Sequence, residues 1–463
     1  MSAKRQGHRT FIDVDGNRYD TPEEPLAEGG QGRVYLSHDR EIAIKIALDD
    51  KKSYEEYEKS LDKTSGIFIH PKAGLARPIV KLAKPDKGYV MRFLDGGKPV
   101  GSLMKCEKAE EPLKEYHAGG GLKRRLLLLK DLAKTLYYIH GAGAVYGDIS
   151  EKNVFISKMP DIKSMASGDA KIWLIDADNI STGRLAGPLY TPGFGAPEVV
   201  KCAGFKDGGR PNTAASDIYS FALLAYRLLN INDPFDGVSS EEAGWDAEPS
   251  AAADEPAEEG GKAFIYDSED DSNRPGDGIL PWRFGITKKM LGLFERAFSC
   301  NSRKRFEGRP SAAEWHAALC EAAGRVCYCE ECGAHHYYDV AELLHKGRRH
   351  SGWLAKTDIL TPTGDGYGVV STHIAVLYGK TDILDYKMVL SSLDEAAALV
   401  AEAADKEVKV STPNGYKHDV FDGAGARKLE QEQSAVMPGD TVWITNTKAP
   451  DEFTARVVFR RAE

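Results

Sequence analysis

An aspartate and an asparagine stand five positions apart in GAVYGDISEKNVFI, residues 143–156, between two apolar runs. This spacing is typical of a loop that moves a phosphoryl group, in which Asp148 would orient and deprotonate an acceptor hydroxyl and Asn153 would bind a metal ion on nucleotide phosphates. A second carboxylate follows in WLIDADN, where an apolar strand ends in Asp176. Oxygen ligands of this kind suit Mg²⁺ that bridges phosphates. The three residues predict phosphoryl transfer.

Glycines and a lysine near the N-terminus would hold the phosphates of a nucleotide. The stretch LAEGGQGRVYL, residues 26–36, reads as strand, turn and strand, and its glycines would let backbone N–H groups approach phosphate oxygens. These glycines are Gly29, Gly30 and Gly32. The next strand, EIAIKIA, places Lys45 between apolar neighbours, where a cation reaches the α and β phosphates.

A lysine in this position needs an acidic partner, normally from the following helix. In SYEEYEKSLDK the apolar residues share one helical face: Tyr54, Tyr57 and Leu61. Glu58 is the glutamate that lies within this face, so we predict that it pairs with Lys45. Glu55 is the alternative, because helix boundaries deduced from one sequence slip by a few residues.

The motifs follow one another as in the protein kinases, and the chain resembles that family over residues 20–324. GGQGRVY looks like the glycine-rich loop, AIK like the strand with the ATP lysine, DISEKN like the catalytic loop, IDAD like the magnesium motif and APE like the end of the activation segment. The resemblance implies an α+β, two-lobed protein-kinase-like fold with ATP and Mg²⁺ between the lobes. The implied catalytic residues are Asp148, Lys45, Glu58, Asn153 and Asp176. The implied nucleotide contacts are Gly29, Gly30, Gly32, Val34, Lys45, the gatekeeper Met91 and the hinge residues Arg92, Phe93 and Leu94.

The resemblance also implies structural roles in the C-terminal lobe. Asp217, on the buried helix SDIYSFALLAYRLL, would anchor the backbone of the catalytic loop. Glu198 of the APE motif would pair with Arg309 of GRPSAAEW.

Several positions depart from the family pattern. Ala27 replaces the usual first glycine of the loop, and Tyr146 replaces the usual histidine before the catalytic aspartate. Ala177 and Asp178 replace the usual Phe-Gly after the metal-binding aspartate, which puts conventional in-and-out switching of this motif in doubt.

Gly147 stands where the family usually has the arginine that receives an activation-segment phosphate. Without that cation, we predict activity that does not require phosphorylation of the segment. The hydroxyl groups concerned are those of Ser181, Thr182, Tyr190 and Thr191.

Serine or threonine is the predicted acceptor, because TPGFGAPE resembles the Ser/Thr form of the activation segment, although Ser150 stands where a lysine is usual. Two alternatives are open. A pseudokinase scaffold would bind nucleotide and partners without catalysis. A small-molecule phosphotransferase of the aminoglycoside or choline kinase type would share GDISEKN and LIDAD, but these enzymes lack the segment from Tyr190 to Glu198.

DPFDG and YDSEDDSNRPGDG are similar to stretches in a group of bacterial eukaryotic-like Ser/Thr protein kinases. That group is encoded beside von Willebrand A domain proteins and PP2C-type phosphatases in tellurite-resistance-like clusters. The resemblance implies a partner protein as substrate and a phosphatase that opposes the kinase.

A cysteine cluster, CYCEECGAHH, occupies residues 327–336, and its Cys329-x-x-Cys332-Gly part matches one knuckle of a zinc site. A four-ligand site needs two more donors, for which the candidates are Cys327, His335, His336, His345 and His350. Ordinary thiols and surface histidines are the alternative, because half a motif is a weak signal.

The domain organisation follows from the motifs and from changes in composition. The predicted regions are an N-terminal strand or arm at 1–19, the N-lobe at 20–95, the C-lobe at 96–324, the Cys/His segment at 325–354 and a β-rich domain at 355–463. We expect an acidic, disordered insert at 237–262, because its Ala, Glu, Gly, Pro and Ser residues offer little apolar surface to bury. One helix is expected in the last domain, around 391–405.

Composition limits the class of protein. A net charge of -9 argues against a general nucleic-acid binder, since no basic excess is available for phosphates. The N-terminus lacks the apolar core of a secretory signal, and the most apolar run, FALLAYRLL, is short and contains Arg227. Seven cysteines, four of them scattered singly, suit a reducing compartment. We therefore expect a cytoplasmic protein.

Overall fold

The computed structural model describes the chain in segments. They are residues 8–29, 32–48, 53–94, 97–105, 111–160, 170–177, 180–182, 189–202, 212–238, 262–276, 279–304, 306–329, 334–337, 353–363, 366–377, 380–383, 399–403, 408–412, 416–422, 434–437, 439–446 and 453–461. The expected disordered insert lies almost entirely outside these residues.

Five antiparallel strands form the sheet of the N-terminal lobe, in the order β3-β4-β5-β7-β6. Their bounds are β3 Ala27–Gly29, β4 Gly32–Leu36, β5 Ile42–Ala47, β6 Pro78–Lys81 and β7 Gly88–Arg92. Helix α1, Tyr54–Ser65, connects β5 to β6. It begins at a capping box, in which the Ser53 hydroxyl accepts from the Glu56 N–H and the Glu56 carboxylate accepts from the Ser53 N–H.

An N-terminal hairpin packs into the core of this lobe. Its strands are β1 His8–Ile12 and β2 Arg18–Pro22. Phe11 is fully buried beside Tyr35 and Leu82, and the Arg9 guanidinium lies over its ring at 4.5 Å. The sequence predicts a strand or arm at residues 1–19, before the N-lobe. The burial of Phe11 instead joins the hairpin to the N-lobe.

Helices build most of the C-terminal lobe. They are α2 Pro112–Ala118, α3 Gly121–Gly141, α4 Pro197–Val200, α5 Ala214–Asn230, α6 Lys288–Phe298, α7 Cys300–Lys304 and α8 Ala312–Gly324. Short 3-10 helices span Val100–Leu103, Trp282–Phe284 and Phe306–Gly308. A small sheet in the order β10-β9-β8 contains β8 Lys98–Pro99, β9 Val154–Ile156 and β10 Ile172–Leu174.

The core of the C-lobe is built around α3 and α5, which are buried on nearly all sides. Trp315 of α8 is fully buried, with its ring centroid 5.4 Å from that of Phe221 and 4.8 Å from that of Phe294. Aromatic packing of this kind fixes the relative positions of the three helices. This packing supports the catalytic loop, because Asp217 of α5 binds the loop backbone. In the part of the chain described here, no helix is long and apolar enough to cross a bilayer.

The hairpin β11 Val326–Cys329 and β12 Ala334–Tyr337 continues the C-lobe core through Val326 and Tyr337. Further strands follow: β13 Trp353–Thr363, β14 Gly366–Leu377, β15 Lys380–Ile383, β16 Leu399–Ala403, β17 Val408–Ser411, β18 Tyr416–Phe421, β19 Ser434–Val436, β20 Thr441–Asn446 and β21 Phe453–Arg461. They form one sheet in the order β14-β13-β21-β20-β18 and another in the order β15-β16-β17-β19.

The helix expected around 391–405 is wrong for its last part. Residues Leu399–Ala403 form β16, which pairs antiparallel with both β15 and β17. The sequence there, LVAEA, is rich in good helix formers, but pairing with two neighbouring strands outweighs that weak local preference. The preceding residues 384–398 lie outside the described segments.

Candidate active site

Lys45 and Asp176 meet in the cleft between the two lobes. Lys45 is 4% exposed on β5, and its Nζ lies 2.8 Å from Asp176 Oδ1. Asp176 follows β10 and has a φ of +54°, a backbone conformation that residues other than glycine rarely adopt. The ion pair brings together two residues that the sequence assigned to the same nucleotide site.

The glycine-rich hairpin, formed by β3 and β4, lies next to β5 in the sheet. Gly29 and Gly32 face each other across β3 and β4, and Val34 is paired with Lys45 in the register of β4 and β5. A Cβ atom on Gly32 would lie 2.4 Å from the carbonyl oxygen of Ile46, so position 32 requires glycine. Gly30 lies outside the described residues.

Two glutamates of α1 are held by lysines of the N-lobe sheet and the turn after it. Glu58 Oε1 lies 2.9 Å from Lys81 Nζ, and Glu55 pairs with Lys84. The hydrogen bond to Glu58, together with one to Asp62, raises the pKa of the Lys81 ammonium. The structure thus places Glu58 on Lys81, and its predicted pairing with Lys45 stays a prediction.

Two side chains hold Asp148, one from the catalytic loop and one from the activation segment. Asn153 Nδ2 donates to Asp148 Oδ2 at 2.7 Å and to the Asp148 carbonyl oxygen at 2.9 Å. Thr191 Oγ1 donates to Asp148 Oδ1 at 2.7 Å. Each carboxylate oxygen retains a further lone pair, so Asp148 is fixed in orientation but still able to accept a proton.

Asp217 organises the backbone of this loop from α5. Its Oδ2 accepts from the Tyr146 N–H at 2.9 Å, and its Oδ1 accepts from the Gly147 N–H at 2.8 Å. His140 Nε2 lies 3.0 Å from the same Oδ2. Asp217 is 1% exposed, so these bonds lie in a dry interior where hydrogen bonds to a charge are strong.

Tyr146, which takes the place of the family's histidine, links the catalytic loop to the metal motif. The ring is fully buried, and its hydroxyl donates to the carbonyl oxygen of Ile175, the residue before Asp176. The Ile175 N–H in turn donates to the Asn153 carbonyl oxygen at 3.0 Å. The two oxygen-bearing side chains assigned to magnesium, those of Asn153 and Asp176, thus stand on adjoining hydrogen-bonded segments.

The residues predicted as gatekeeper and hinge lie in β7 and directly after it. Met91 pairs with Ala43 of β5, and the Phe93 N–H donates to the Glu41 carbonyl oxygen at 2.8 Å. Leu94 accepts from the Gly97 N–H at 3.0 Å. These bonds hold residues 91–94 at the edge of the cleft, next to the strand of Lys45.

Glu198 and Arg309 form a buried ion pair. Arg309 Nη1 lies 2.7 Å from Glu198 Oε1, and Nη2 lies 2.9 Å from Oε2. The Arg309 side chain is 1% exposed and the Glu198 side chain is 9% exposed. Arg309 Nη1 also donates to the Ala215 carbonyl oxygen, and its guanidinium lies over the Tyr219 ring. The pair ties the end of the activation segment to α5.

The oxygen atoms of the Asn153 and Asp176 side chains fit Mg²⁺, which is commonly bound through one or two carboxylates together with substrate phosphates.

The zinc site predicted at the cysteine cluster lacks such support. Within the residues that the structure describes, no three His, Cys, Asp or Glu side chains are grouped to hold a metal ion. The register of β11 and β12 places Cys327 opposite His336 and Cys329 opposite Ala334. Cys332, His345 and His350 lie outside the described residues, so the zinc knuckle rests on sequence alone.

Two residues that position the loop were missed by the sequence analysis. Thr191 was considered only as a phosphorylation site, although its hydroxyl contacts Asp148. Asn212 was not considered, although its side chain bonds to both Gly147 and Leu189. The TPG motif could have revealed Thr191, whereas an asparagine before a helix is an ordinary sequence feature.

A sequence profile of the protein kinase domain matches residues 21–305, more than half of the chain. The protein therefore belongs to the protein kinase domain family. Serine/threonine-protein kinase pkn2 of Myxococcus xanthus is 31% identical over 228 residues, which cover 46% of this chain and 24% of that protein. Serine/threonine-protein kinase PknD of Chlamydia felis is 23% identical, with 45% and 24% covered, and Aurora kinase A-A of Xenopus laevis is 24% identical, with 47% and 49% covered. The match spans about a quarter of the two bacterial kinases.

Proposed function

We propose that the protein transfers the γ-phosphate of ATP to serine or threonine hydroxyls of a partner protein and of itself. One observation carries the proposal: the Asp148 carboxylate is held by Asn153 and Thr191 while Lys45 and Asp176 are paired across the same cleft. The arrangement of these residues supports phosphoryl transfer.

Each residue has a distinct role in the proposed reaction. Asp148 orients the acceptor hydroxyl and takes its proton, and Lys45 positions the α and β phosphates. Asn153 and Asp176 would hold the metal ion. When bound, ATP and Mg²⁺ supply the phosphoryl group and offset the negative charge of the phosphates. Glu58 would leave Lys81 and pair with Lys45 once nucleotide is bound.

Serine and threonine are preferred to tyrosine as acceptors on two grounds. The segment from Tyr190 to Glu198 resembles the Ser/Thr form, and its Thr191 hydroxyl contacts Asp148. The relatives pkn2 and PknD are named serine/threonine-protein kinases.

The partner in this proposal is a von Willebrand A domain protein, with a PP2C-type phosphatase as the opposing enzyme. Its support is the resemblance of DPFDG and YDSEDDSNRPGDG to kinases encoded beside such proteins. Coexpression with such a partner is expected to give phosphate on the partner; absence of any transfer would count against this assignment.

Structural zinc at Cys329 and Cys332 is a separate proposal, and metal analysis that finds no zinc in fresh protein would contradict it.

The decisive experiment measures transfer of labelled phosphate from ATP with Mg²⁺ for the wild type and Asp148→Asn. Acceptors are the protein itself, a generic protein substrate and a panel of small alcohols. Label on serine or threonine is expected for the wild type, and loss of the base should lower the rate by at least about 100-fold while ATP still binds. Label only on small alcohols would favour a small-molecule phosphotransferase. ATP binding without any label would favour a pseudokinase.

A further inference from the structure

The side-chain amide of Asn212 joins two segments that are far apart in the sequence. Nδ2 donates to the carbonyl oxygens of Gly147, at 3.0 Å, and Leu189, at 2.7 Å. Oδ1 accepts from the Leu189 N–H at 3.0 Å. Asn212 is 8% exposed and stands directly before Thr213, the N-cap of α5. Both amide hydrogens and one oxygen lone pair are therefore used in a buried position.

The first of these segments is the peptide unit that leads into the catalytic aspartate. The Gly147 carbonyl, which Asn212 binds, belongs to the peptide bond between Gly147 and Asp148. Asp217 binds the Gly147 N–H at the other end of the same residue. Gly147 has a φ of +89°, which its missing Cβ permits. Two side chains near the start of α5 thus fix Gly147 from both sides.

The second segment leads into Thr191, whose side chain contacts the Asp148 carboxylate. Leu189 precedes Tyr190 and Thr191, and the Thr191 hydroxyl donates to Asp148 Oδ1. Asn212 holds both the N–H and the carbonyl of Leu189, much as a neighbouring β-strand would. The catalytic aspartate is therefore enclosed by a loop of hydrogen bonds that runs from Gly147 through Asn212 and Leu189 to Thr191.

We propose that Asn212 is a positioning residue that docks the activation segment on the catalytic loop. The inference rests on the proposed kinase activity and deepens it. The usual arginine before the catalytic aspartate is replaced by Gly147, so a phosphate–guanidinium contact at that position cannot form. Asn212 supplies a neutral contact between the same two segments. No charge has to be added to the protein for this contact to form.

The test compares Asn212→Ala with a matched control, Asn273→Ala. Asn273 is 1% exposed and likewise donates two buried hydrogen bonds to carbonyl oxygens, those of Phe235 and Ala263. Losing a buried amide should destabilise both variants, but only Asn212→Ala is expected to lower kcat, by about 10- to 100-fold. The KM for ATP should stay within about twofold of the wild type, since Asn212 contacts neither Lys45 nor the hinge. Both rates are corrected for the folded fraction.

Amide hydrogen exchange provides a readout that does not depend on catalysis. In Asn212→Ala, the Leu189 amide loses its acceptor and is expected to exchange faster, whereas Asn273→Ala should leave its exchange unchanged. Equal loss of kcat in the two variants, or unchanged exchange at Leu189, would overturn the inference. The two proposals can fail separately. If the wild type transferred no phosphate while Asn212→Ala still showed faster exchange at Leu189, the docking contact would be supported and the proposed kinase activity rejected.

Discussion

The Glu58 carboxylate on α1 forms an ion pair with Lys81 on β6, with Oε1 2.9 Å from Nζ. Lys81 also lies 3.0 Å from Asp62, one turn further along the same helix. One ammonium thus holds two carboxylates and fastens α1 to the sheet. Both partners of the Glu58 pair are partly exposed, so the pair is weak enough to exchange. Lys81 therefore competes with Lys45 for the glutamate that the proposed reaction needs.

Replacing Lys81 with methionine is expected to favour ATP binding, because Glu58 is then released to pair with Lys45. The KM for ATP should fall by about two- to fivefold, which corresponds to the 0.4–1 kcal/mol typical of an exposed ion pair. Steady-state kinetics over a range of ATP concentrations measures the change. Lys84→Met is the matched control, since Lys84 pairs with Glu55 on the same helix. Equal shifts in the two variants would contradict the competition.

Activity is expected to persist when the activation segment carries no phosphate. Gly147 offers no cation to a phosphate, and neutral hydrogen bonds from Asn212 already hold the segment. The rate of label transfer should be unchanged in protein dephosphorylated by a phosphatase, with removal verified by mass spectrometry.

The variant Ser181→Ala, Thr182→Ala, Tyr190→Phe controls for renewed phosphorylation during the assay, because these three hydroxyls are then missing. It should match the wild type in rate. Loss of all activity in either sample would refute phosphorylation-independent catalysis.

Removing the Thr191 hydroxyl should slow catalysis. Thr191→Val keeps the shape of the side chain but loses the donor to Asp148, so the carboxylate is less well oriented. A hydrogen bond to a charged group contributes about 1.5 kcal/mol or more, and kcat is expected to fall by about tenfold. Thr191→Ser retains the donor and should restore most of the rate. If the serine variant were as slow as the valine variant, packing of the methyl group would be the cause instead.

Acid should weaken the C-lobe through His316. Burial, aided by Lys130 and Lys134 of α3, lowers the pKa of this imidazole to about 3. The unfolded chain takes up a proton near the ordinary value of 6.5, whereas the folded protein does not. The neutral imidazole is therefore compatible with the fold above pH 6.5, and stability is lost as the pH falls from 6.5 toward 3.

The loss in unfolding free energy should reach about 2 kcal/mol at pH 5. Urea unfolding at several pH values measures it. In His316→Gln the pH slope should lose the part due to His316 and keep the part due to His335, whose pKa burial likewise lowers to about 4. The control His38→Gln, at an exposed position, should keep the full slope. An unchanged slope in His316→Gln would assign the acid sensitivity to other groups.

The residues proposed for catalysis could be found in the sequence because each stands in a recognisable local motif. Asp148, Asn153 and Asp176 each stand in a short motif of fixed spacing, and the fold places all three on segments joined by hydrogen bonds. Lys45 could be found because its strand, AIK, stands in the same order relative to the other motifs as the ATP-lysine strand of the protein kinases. Periodicity likewise predicted α1 with its buried residue Leu61.

Features that depend on contacts distant in the sequence were harder to predict. The choice of Glu58 between Lys45 and Lys81 is set by how α1 docks on the sheet, which periodicity does not encode. Asn212 stands 65 positions from Gly147 and has no motif of its own. The strand at Leu399–Ala403 is stabilised by its neighbours rather than by its own residues.

The folded N-lobe is larger than the region of family similarity, because the hairpin with Phe11 lies almost entirely before that region. Similarity begins at residue 21, yet Phe11 fills a space between Tyr35 and Leu82 that the catalytic sheet leaves open. A fragment started at the family boundary would expose those two side chains to water and weaken the sheet beneath the nucleotide. Swapping catalytic domains between this protein and a relative would therefore have to carry residues 8–22 along with the domain that they complete.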